Sequence, residues 1–414
     1  MTFNQLHPSP RLPLVAGAAA LALLALMIGT SPSKLCYDEP PHLDLAKSVV
    51  ASGWRAALTS PDNQSAAGPL YTAIHIAASP LTGFHAPAIR WVNLICLALV
   101  MITVSRTDQR KPARPDWIPA VSMLSVPFLW PAAGTAVTEL PALAAFAFFV
   151  YAMLHLLRVP DERASAWPFG WAALAGLALG LSILGRQTYL VVLPVVVGLF
   201  FAAPRKWLLW LVCLAVAISC CAWLFVLWHG LVPPRNQHYV DAGLRFDYGV
   251  LSVSYVAAAT LFVSPRWLKI RNWKVALGLL FVGIALAVFT RDFAKPPAKS
   301  LLLTIFGGRW GLRVGFCIGV LFTSVAVVWV WNTLVIAWRE RRDTGRAFLF
   351  LSLFALVAAP MKISHQFSSL YVVGLLSLLP LVLRDPQASV YWCALRIGFG
   401  SLAGAALLWI YFHP

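Results

Sequence analysis

The feature that most constrains the fold of this chain is the recurrence of long apolar stretches from one end to the other. Of the 414 residues, 60% are hydrophobic and 11% are charged, whereas a soluble domain has about 25% charged residues. The stretches are about 15–25 residues long, and a helix of about 20 apolar residues crosses a bilayer. They are continuous rather than alternating, which argues against a β-barrel. The sequence therefore predicts an all-α, polytopic transmembrane helical bundle.

We predict about thirteen spans. Several are short for a bilayer, which is consistent with membrane thinning, tilt or burial inside a bundle. The first apolar stretch is followed by "SPSKLCYDEP", which lacks a convincing small-x-small cleavage site, so we expect a retained span and not a signal peptide. The predicted spans are 13–30, 87–105, 117–132, 137–157, 168–184, 188–203, 207–229, 248–264, 274–290, 314–338, 346–360, 367–383 and 390–411.

Residues 168–203 allow two interpretations, one long helix or a hairpin centred on Arg186. The hairpin keeps the basic segment "PRKW" on the same side of the membrane as the other basic loops. We therefore favour the hairpin.

The net charge of +17 follows the positive-inside rule, because Lys and Arg accumulate in cytoplasmic loops. With a cytoplasmic N-terminus, the loops after the even-numbered spans are short and basic, and the opposite loops hold much of the acidic charge. We expect a multi-pass protein of the bacterial inner membrane or the endoplasmic reticulum membrane, with its site on the periplasmic or lumenal side. Membrane lipids are its expected surroundings, and nucleic acid is not an expected partner.

The largest predicted loop, 31–86, lies on the outward side of a single integral-membrane domain, 1–414. Prolines suit the first turn of a helix and glycine suits its end. We therefore predict a short amphipathic helix on the outer membrane surface. Its prolines, apolar positions and terminal glycine are Pro40, Pro41, Leu43, Ala46, Val49, Val50 and Gly53.

An acidic pair, Asp38 and Glu39, follows directly after the first span. Glu39 precedes two prolines and is able to cap the helix. Asp38 is either a solvated loop charge or a general base that removes a proton from a sugar hydroxyl. His42 lies four residues on, so one helical turn brings it close to Asp38.

Several further motifs occur in order along the first half of the chain. Asp38-Glu39 and His42 are followed by Trp54, "TSP" at 59–61, "GPLY" at 68–71, Arg90 to Asn93, Thr138-Glu139 and "RQTYLVV" from Arg186 to Val192. This series resembles GT-C fold membrane glycosyltransferases, and most closely the dolichyl-phosphate-glucose α-1,2-glucosyltransferases. Later motifs of that family are not evident, and "DNQSAA" is inserted between Trp54 and Tyr71.

The resemblance implies transfer of a sugar, a hexose such as glucose, from a polyprenyl- or dolichyl-phosphate carrier to a glycan or lipid-linked acceptor. It implies a single displacement with a carboxylate base, Asp38 or Glu39. It also places His42, Tyr71 and Gln187 among the substrate-binding residues. No cofactor and no metal ion are expected. The alternatives are a transporter or flippase, or a membrane scaffold without enzymatic activity.

Glu139 is the acidic residue nearest to the mid-chain apolar segments, and Arg186 lies between the apolar sequences "LSILG" and "QTYLVV". Glu139 is either solvated at the outer interface or part of the site, and we favour the site because ionisable residues at membrane depth are usually functional. Arg186 either pairs with Glu139 or binds a lipid-linked phosphate. The two roles of Arg186 are compatible.

The outward loop 291–313 is basic and departs from the charge rule. Its cations suit anionic lipid headgroups in general, or a polyprenyl phosphate in particular. Arg309 is the member of this loop that we assign to substrate binding. The histidines of the outward loops are far apart in sequence and carry no metal assignment.

Overall fold

A computed structural model of the chain describes residues 11–107, 116–159, 167–239, 243–270, 272–289, 307–363, 367–383 and 389–413. Its secondary structure is helical. The α-helices are α1 Arg11–Gly29, α2 Glu39–Ser52, α3 Trp54–Thr59, α4 Pro69–Thr82, α5 Arg90–Thr107, α6 Trp117–Ser122, α7 Leu129–Gly134, α8 Glu139–Arg158, α9 Trp167–Gly185, α10 Leu193–Ala202, α11 Trp207–Trp228, α12 Phe246–Val263, α13 Trp273–Phe289, α14 Gly308–Arg339, α15 Thr344–Ala358, α16 Leu370–Val373, α17 Leu379–Val382 and α18 Val390–Phe412.

Within the described ranges, nine helices are long and apolar enough to cross a membrane: α1, α5, α8, α9, α11, α12, α14, α15 and α18. Two further apolar segments, Gln187–Ala202 and Trp273–Ala287, are shorter. These eleven segments correspond to eleven of the predicted spans. The prediction of an all-α, polytopic bundle is confirmed.

The remaining two predicted spans are wrong as continuous helices. Segment 117–132 is divided into α6, a 3-10 turn and α7, and the backbone of Val126 is extended before Pro127. Segment 367–383 is divided into α16 and α17, with i→i−3 backbone hydrogen bonds between them. Proline explains the first break, because it disfavours helical geometry in the preceding residue. Both segments are largely buried in protein, where irregular backbone at membrane depth is tolerated.

The hairpin prediction for 168–203 agrees with two separate helices that meet at Arg186. Helix α9 ends at Gly185, Arg186 has extended backbone dihedrals, and a 3-10 helix Gln187–Val192 leads into α10. The break places the Arg186 side chain at the end of the bundle where α8 begins. There it contacts Thr138, the residue before α8.

Helix α8 is the most buried of the nine spanning helices. It packs against α5 and α9, and α9 packs against α11. The α9–α11 contact is close because α9 carries Gly176 and Gly180, four residues apart, on the shared face. A Cβ atom at Gly176 would collide with the carbonyl of Cys213, and one at Gly180 would collide with Cys220. Small residues at this spacing allow the helix backbones to approach each other in a membrane.

Helix α18 covers the broken segment 117–134 and also packs on α1. Gly400 lies against the carbonyl of Ser125, and Gly404 lies against the ring of Trp130. The Trp130 indole is fully buried and donates to the carbonyl of Leu124 over 3.0 Å. The interior of this segment is therefore shielded by a helix from the far end of the chain.

The amphipathic helix predicted in 31–86 is α2, which packs against α3 and α4. Leu43, Ala46 and Val49 are buried, whereas Val50 is 62% exposed. The apolar face of α2 is thus covered by protein and not by the membrane surface. The predicted helix is present, but its predicted place on the membrane surface is wrong, because the apolar face of α2 packs on α4.

The predicted topology gives a first testable expectation. In a chain whose seven native cysteines are replaced, Ser52→Cys should react with an impermeant thiol reagent in intact cells, because Ser52 is exposed in the outward loop. Arg342→Cys, exposed on the loop after α14, should react only after the membrane is permeabilised. The reverse labelling pattern would invert the orientation.

Candidate active site

A cavity of about 360 Å³ opens at the end of the bundle where α2 and α8 begin and α9 ends. It brings together five of the predicted site residues, which are Asp38, His42, Glu139, Arg186 and Gln187. The rest of its wall comes partly from the same loop and helix ends in the first half of the chain, and partly from the second half, chiefly between α15 and α16. Charged groups of both signs and apolar side chains therefore share one cavity.

Asp38 is the residue that precedes α2, and its carboxylate is exposed. Because Pro40 and Pro41 occupy the first turn of α2, the helix has fewer N–H donors to be capped there. Accordingly the Asp38 side chain makes no capping hydrogen bond. Its carboxylate faces the cavity instead.

Glu39 has a different environment although it is adjacent to Asp38. Its side chain is fully buried and pairs with Arg90, with Nη2–Oε2 and Nε–Oε1 distances of 2.8 Å. The backbone N–H groups of Cys36 and Ala136 donate to the same carboxylate over 2.8 Å each. The cap expectation for Glu39 is therefore wrong, because the carboxylate accepts from groups outside the helix. Glu39 is also not among the residues that line the cavity, and its catalytic role stays a prediction.

Arg90 and Asn93, at the start of α5, hold the loops around the site. Arg90 donates to Ser31 Oγ over 2.7 Å and to the carbonyls of Pro32 and Lys34 over 2.8 and 3.0 Å. The Asn93 amide donates to the carbonyl of Ala132 in α7 and to the carbonyls of Thr135 and Val137 in the turn between α7 and α8. The "RxxN" motif of the sequence thus fixes the loop that carries Asp38 and the turn that leads to Glu139.

Arg186 pairs with Glu139 across the cavity wall, with an Nη2–Oε1 distance of 3.2 Å, and its Nη1 lies 3.3 Å from Thr138 Oγ1. The predicted pair is confirmed. Glu139 is 6% exposed, so the interpretation as a solvated interface charge is wrong. Its second oxygen, Oε2, is buried without a hydrogen-bond partner among the described residues. A guanidinium has five N–H donors, so Arg186 keeps donors for a ligand in the cavity.

His42 and Gln187 complete the wall on the side of the outward loop. Gln187 Nε2 donates to the carbonyl of Ala66 over 3.1 Å, and His42 Nδ1 lies 2.8 Å from Ser65 Oγ. Burial lowers the pKa of His42 to about 3, and the nearby Arg186 guanidinium adds to this effect. His42 is therefore neutral at physiological pH and serves as a hydrogen-bonding group.

The cavity also contains residues that sequence reasoning missed, chiefly Lys362 and Tyr371. Tyr371 lies beneath the Arg186 guanidinium, 5.4 Å from Cζ to the ring centroid. Lys362 is exposed and follows α15. A signal for Lys362 was present, since it is a lone cation in a loop that the charge rule predicts to be outward. Tyr371 has no comparable signal within its apolar segment.

Two predicted binding residues do not line this cavity. Tyr71 is 1% exposed, and its hydroxyl donates to the carbonyl of Ala136 over 2.6 Å. Helix α4 turns this position into the protein, behind His42, and its binding role stays a prediction. Arg309 is the second residue of α14, and its side chain lies outside the described part of the chain, as does most of the basic loop 291–313.

The buried histidines predict acid sensitivity of the fold. Burial lowers the pKa of His75 to about 4, against about 6.5 in an unfolded chain. A depressed pKa contributes stability above pH 6.5 that is lost as the pH falls towards 4. Between pH 7 and pH 5 the loss for His75 is about 2 kcal/mol. His75→Leu should therefore show a smaller fall in melting temperature over this range than the parent.

The matched control for this experiment is His229→Asn. His229 is exposed and has a positive φ of 49°, which asparagine tolerates. This variant should follow the parent at both pH values. If the melting temperatures of His75→Leu and His229→Asn fall equally between pH 7 and pH 5, the burial of neutral His75 does not cause the acid sensitivity.

The fold of this chain is similar to that of a protein of known structure. No protein-family model and no functionally curated protein matches the sequence. The crystal structure of ArnT from Cupriavidus metallidurans bound to undecaprenyl phosphate is similar, with a TM-score of 0.51, 14% sequence identity, and coverage of 95% of this chain and 76% of that chain. The apo state of the same protein aligns with a TM-score of 0.47, 14% identity and the same coverage.

The likeness to ArnT is a likeness of fold. The likeness supports the GT-C fold and does not support the narrower resemblance to the dolichyl-phosphate-glucose α-1,2-glucosyltransferases. With nine described helices that are able to cross a membrane, the chain is a polytopic helical protein with a GT-C type fold.

Proposed function

We propose that the chain is an integral-membrane glycosyltransferase that moves a sugar from a polyprenyl-phosphate carrier to an acceptor hydroxyl. One observation carries the proposal: a single cavity holds an exposed carboxylate, Asp38, together with two cations, Arg186 and Lys362. A carboxylate suits removal of a proton, and cations suit stabilisation of a leaving phosphate. The likeness to ArnT, solved with undecaprenyl phosphate, adds support for this class of carrier.

The donor phosphate lies, in this proposal, between Arg186 and Lys362. Glu139 orients the Arg186 fork through the 3.2 Å contact, and Tyr371 lies beneath the guanidinium. The adjacent apolar wall, which includes Leu190 and Val191, suits the first isoprene units of the carrier. The cavity thus offers a charged end for the phosphate and an apolar side for the lipid.

The reaction is a single displacement. The acceptor oxygen attacks the anomeric carbon as Asp38 takes the hydroxyl proton, and the bond from that carbon to the phosphate oxygen breaks. The electron pair of the broken bond stays on the phosphate, where the positive charges of Arg186 and Lys362 stabilise it. The anomeric centre is inverted, and no covalent glycosyl-enzyme forms.

The finer assignments extend the same proposal. A hexose is the transferred sugar, and a glycan or lipid-linked molecule is the acceptor. Neutral His42 and Gln187 hydrogen-bond the sugar at the cavity wall. Reaction takes place on the periplasmic or lumenal side, where the charge rule puts loop 31–86.

The direct test incubates purified protein with a panel of polyprenyl-phosphate sugars and candidate acceptors and measures release of free polyprenyl phosphate. Release that depends on both donor and acceptor is the expected result. A protein that moves an intact lipid-linked sugar across proteoliposomes, without releasing the phosphate, would instead be a flippase.

The donor site is tested by comparing Arg186→Ala with Arg186→Lys. Alanine removes the charge and the fork, and kcat/KM for the donor should fall about 10- to 100-fold, as expected for lost hydrogen bonds to a charged group. Lysine keeps the charge but not the planar fork, so its loss should be smaller. Steady-state kinetics at varied donor concentration measure both.

The matched control is Arg235→Ala. Arg235 is exposed, lies outside the cavity and donates to the carbonyl of Pro61, so kcat/KM should stay within about twofold of the parent. Because Arg186→Ala leaves Glu139 buried without its partner, the Glu139→Gln/Arg186→Ala double variant is measured as well.

A folded Arg186→Ala protein whose kcat/KM for the donor equals that of Arg235→Ala would exclude Arg186 from the donor site.

A further inference from the structure

A second cavity, of about 620 Å³, lies at the opposite end of the bundle. It is bounded by the loop after α12, the start of α13 and the last turns of α14. Helix α12 connects the two ends. Arg245, the residue before it, donates its N–H to the carbonyl of Met361 beside the candidate site, and Ser264, the residue after it, lines the second cavity. Its 18 residues span about 27 Å at 1.5 Å per residue, so this cavity is separate from the candidate active site.

The charged lining of this cavity is positive. Arg266 and Lys269 come from the loop, and Arg339 comes from the last turn of α14. Among the described residues that line the cavity, none is acidic. The nearest carboxylate along the chain, Glu340, pairs with Arg346 over 2.6 Å. The cavity is thus a positive site at the face that the charge rule predicts to be cytoplasmic.

The loop is fixed to α14, so the cavity has a defined shape. Trp267 Nε1 lies 3.0 Å from Thr333 Oγ1, and Asn332 Nδ2 donates to the carbonyl of Trp267 over 2.6 Å. Trp331, which also lines the cavity, is 46% exposed. Tryptophan is enriched at the level of lipid headgroups. Cations beside apolar and indole surface match the two parts of a phospholipid.

We infer that this cavity binds the headgroup of an anionic phospholipid, with the phosphodiester between the loop cations and Arg339 and the acyl chains against α13 and α14. Basic pockets between transmembrane helices on the cytoplasmic side recognise lipid headgroups in this way. The lipid would fasten the α12–α13 loop to α14. This site is independent of the proposed transfer reaction, since none of its residues lines the other cavity.

The test measures the melting temperature of the protein in detergent with added phosphatidylglycerol, phosphatidylcholine or sodium phosphate. Phosphatidylglycerol should raise it by about 3 °C or more, whereas phosphatidylcholine and sodium phosphate should not. The Arg266→Gln/Lys269→Gln/Arg339→Gln variant should lose at least half of the rise. All three side chains are exposed, so the variant is expected to fold.

The matched control is Arg341→Gln/Arg342→Gln, which removes exposed charges from the same end of the bundle but outside the cavity. It should keep the full rise. An equal rise in the triple variant and the parent would overturn the inference, as would an equal rise with phosphatidylcholine. A rise produced by sodium phosphate and lost in the triple variant would assign the cavity to a soluble phosphate and overturn the lipid assignment.

Discussion

Asp38→Asn is expected to lower the turnover of sugar transfer by a factor of about 10² or more, the usual contribution of a positioned base. Asparagine keeps the size of the side chain but does not take up the acceptor proton. The fold should be retained, because the exposed Asp38 carboxylate makes no capping bond to α2. Donor binding should also survive, since a carboxylate is not what holds an anionic phosphate. Single-turnover release of polyprenyl phosphate and equilibrium donor binding measure the two separately.

The matched control for this variant is Asp44→Asn. Asp44 is exposed on α2, six residues from Asp38 and outside the cavity, and its loss should leave turnover within about twofold of the parent. Near-normal transfer by folded Asp38→Asn would exclude Asp38 as the base. The buried Oε2 atom of Glu139 would then be the next carboxylate to test.

The second large effect is expected on stability, from breaking the Glu39–Arg90 pair. Both side chains are fully buried and are held at 2.8 Å. Removing one partner of a buried ion pair costs about 3–5 kcal/mol, because it leaves the other charge without compensation. Glu39→Gln should therefore lower the melting temperature strongly and release the loop that carries Asp38. Thermal unfolding in detergent measures the loss.

The comparison for this prediction is Glu340→Gln, which breaks an ion pair with Arg346 in which Glu340 is 40% exposed. Exposed pairs contribute about 0–1 kcal/mol, so this variant should melt close to the parent. A Glu39→Gln protein as stable as Glu340→Gln would mean that the buried pair does not hold the fold. Arg90→Gln should reproduce the Glu39→Gln loss if the pair acts as one unit.

The helices were predictable because hydropathy and length are local properties. The boundaries of α8, Glu139–Arg158, and α11, Trp207–Trp228, lie within two residues of the predicted spans. A continuous helix and a broken one have similar hydropathy along the sequence, so the breaks inside 117–132 and 367–383 were missed. The prolines at 119, 127 and 131 were the available signal for the first of these breaks.

Only the part of the candidate site that comes from the first half of the chain was predictable from the sequence. Asp38 and Glu139 stand out because carboxylates are rare in this chain, and Arg186 stands out because it lies between two apolar stretches. The different fates of Asp38 and Glu39 were not predictable, because they depend on Arg90, 51 residues from Glu39. Lys362 and Tyr371 reach the cavity from the far end of the chain, and nothing local in the sequence connects them to Arg186.

The packing of α18 on segment 117–134 has a consequence for biogenesis. Ser125 and Trp130 lie in irregular backbone that is covered by Gly400 and Gly404 of α18, more than 260 residues later. Lipid does not satisfy exposed backbone groups, so this early segment has no stable place at membrane depth until α18 arrives. The packing of α18 on segment 117–134 is therefore expected to be the last step in assembly of the bundle. A nascent chain stalled before residue 390 should remain bound to insertion chaperones.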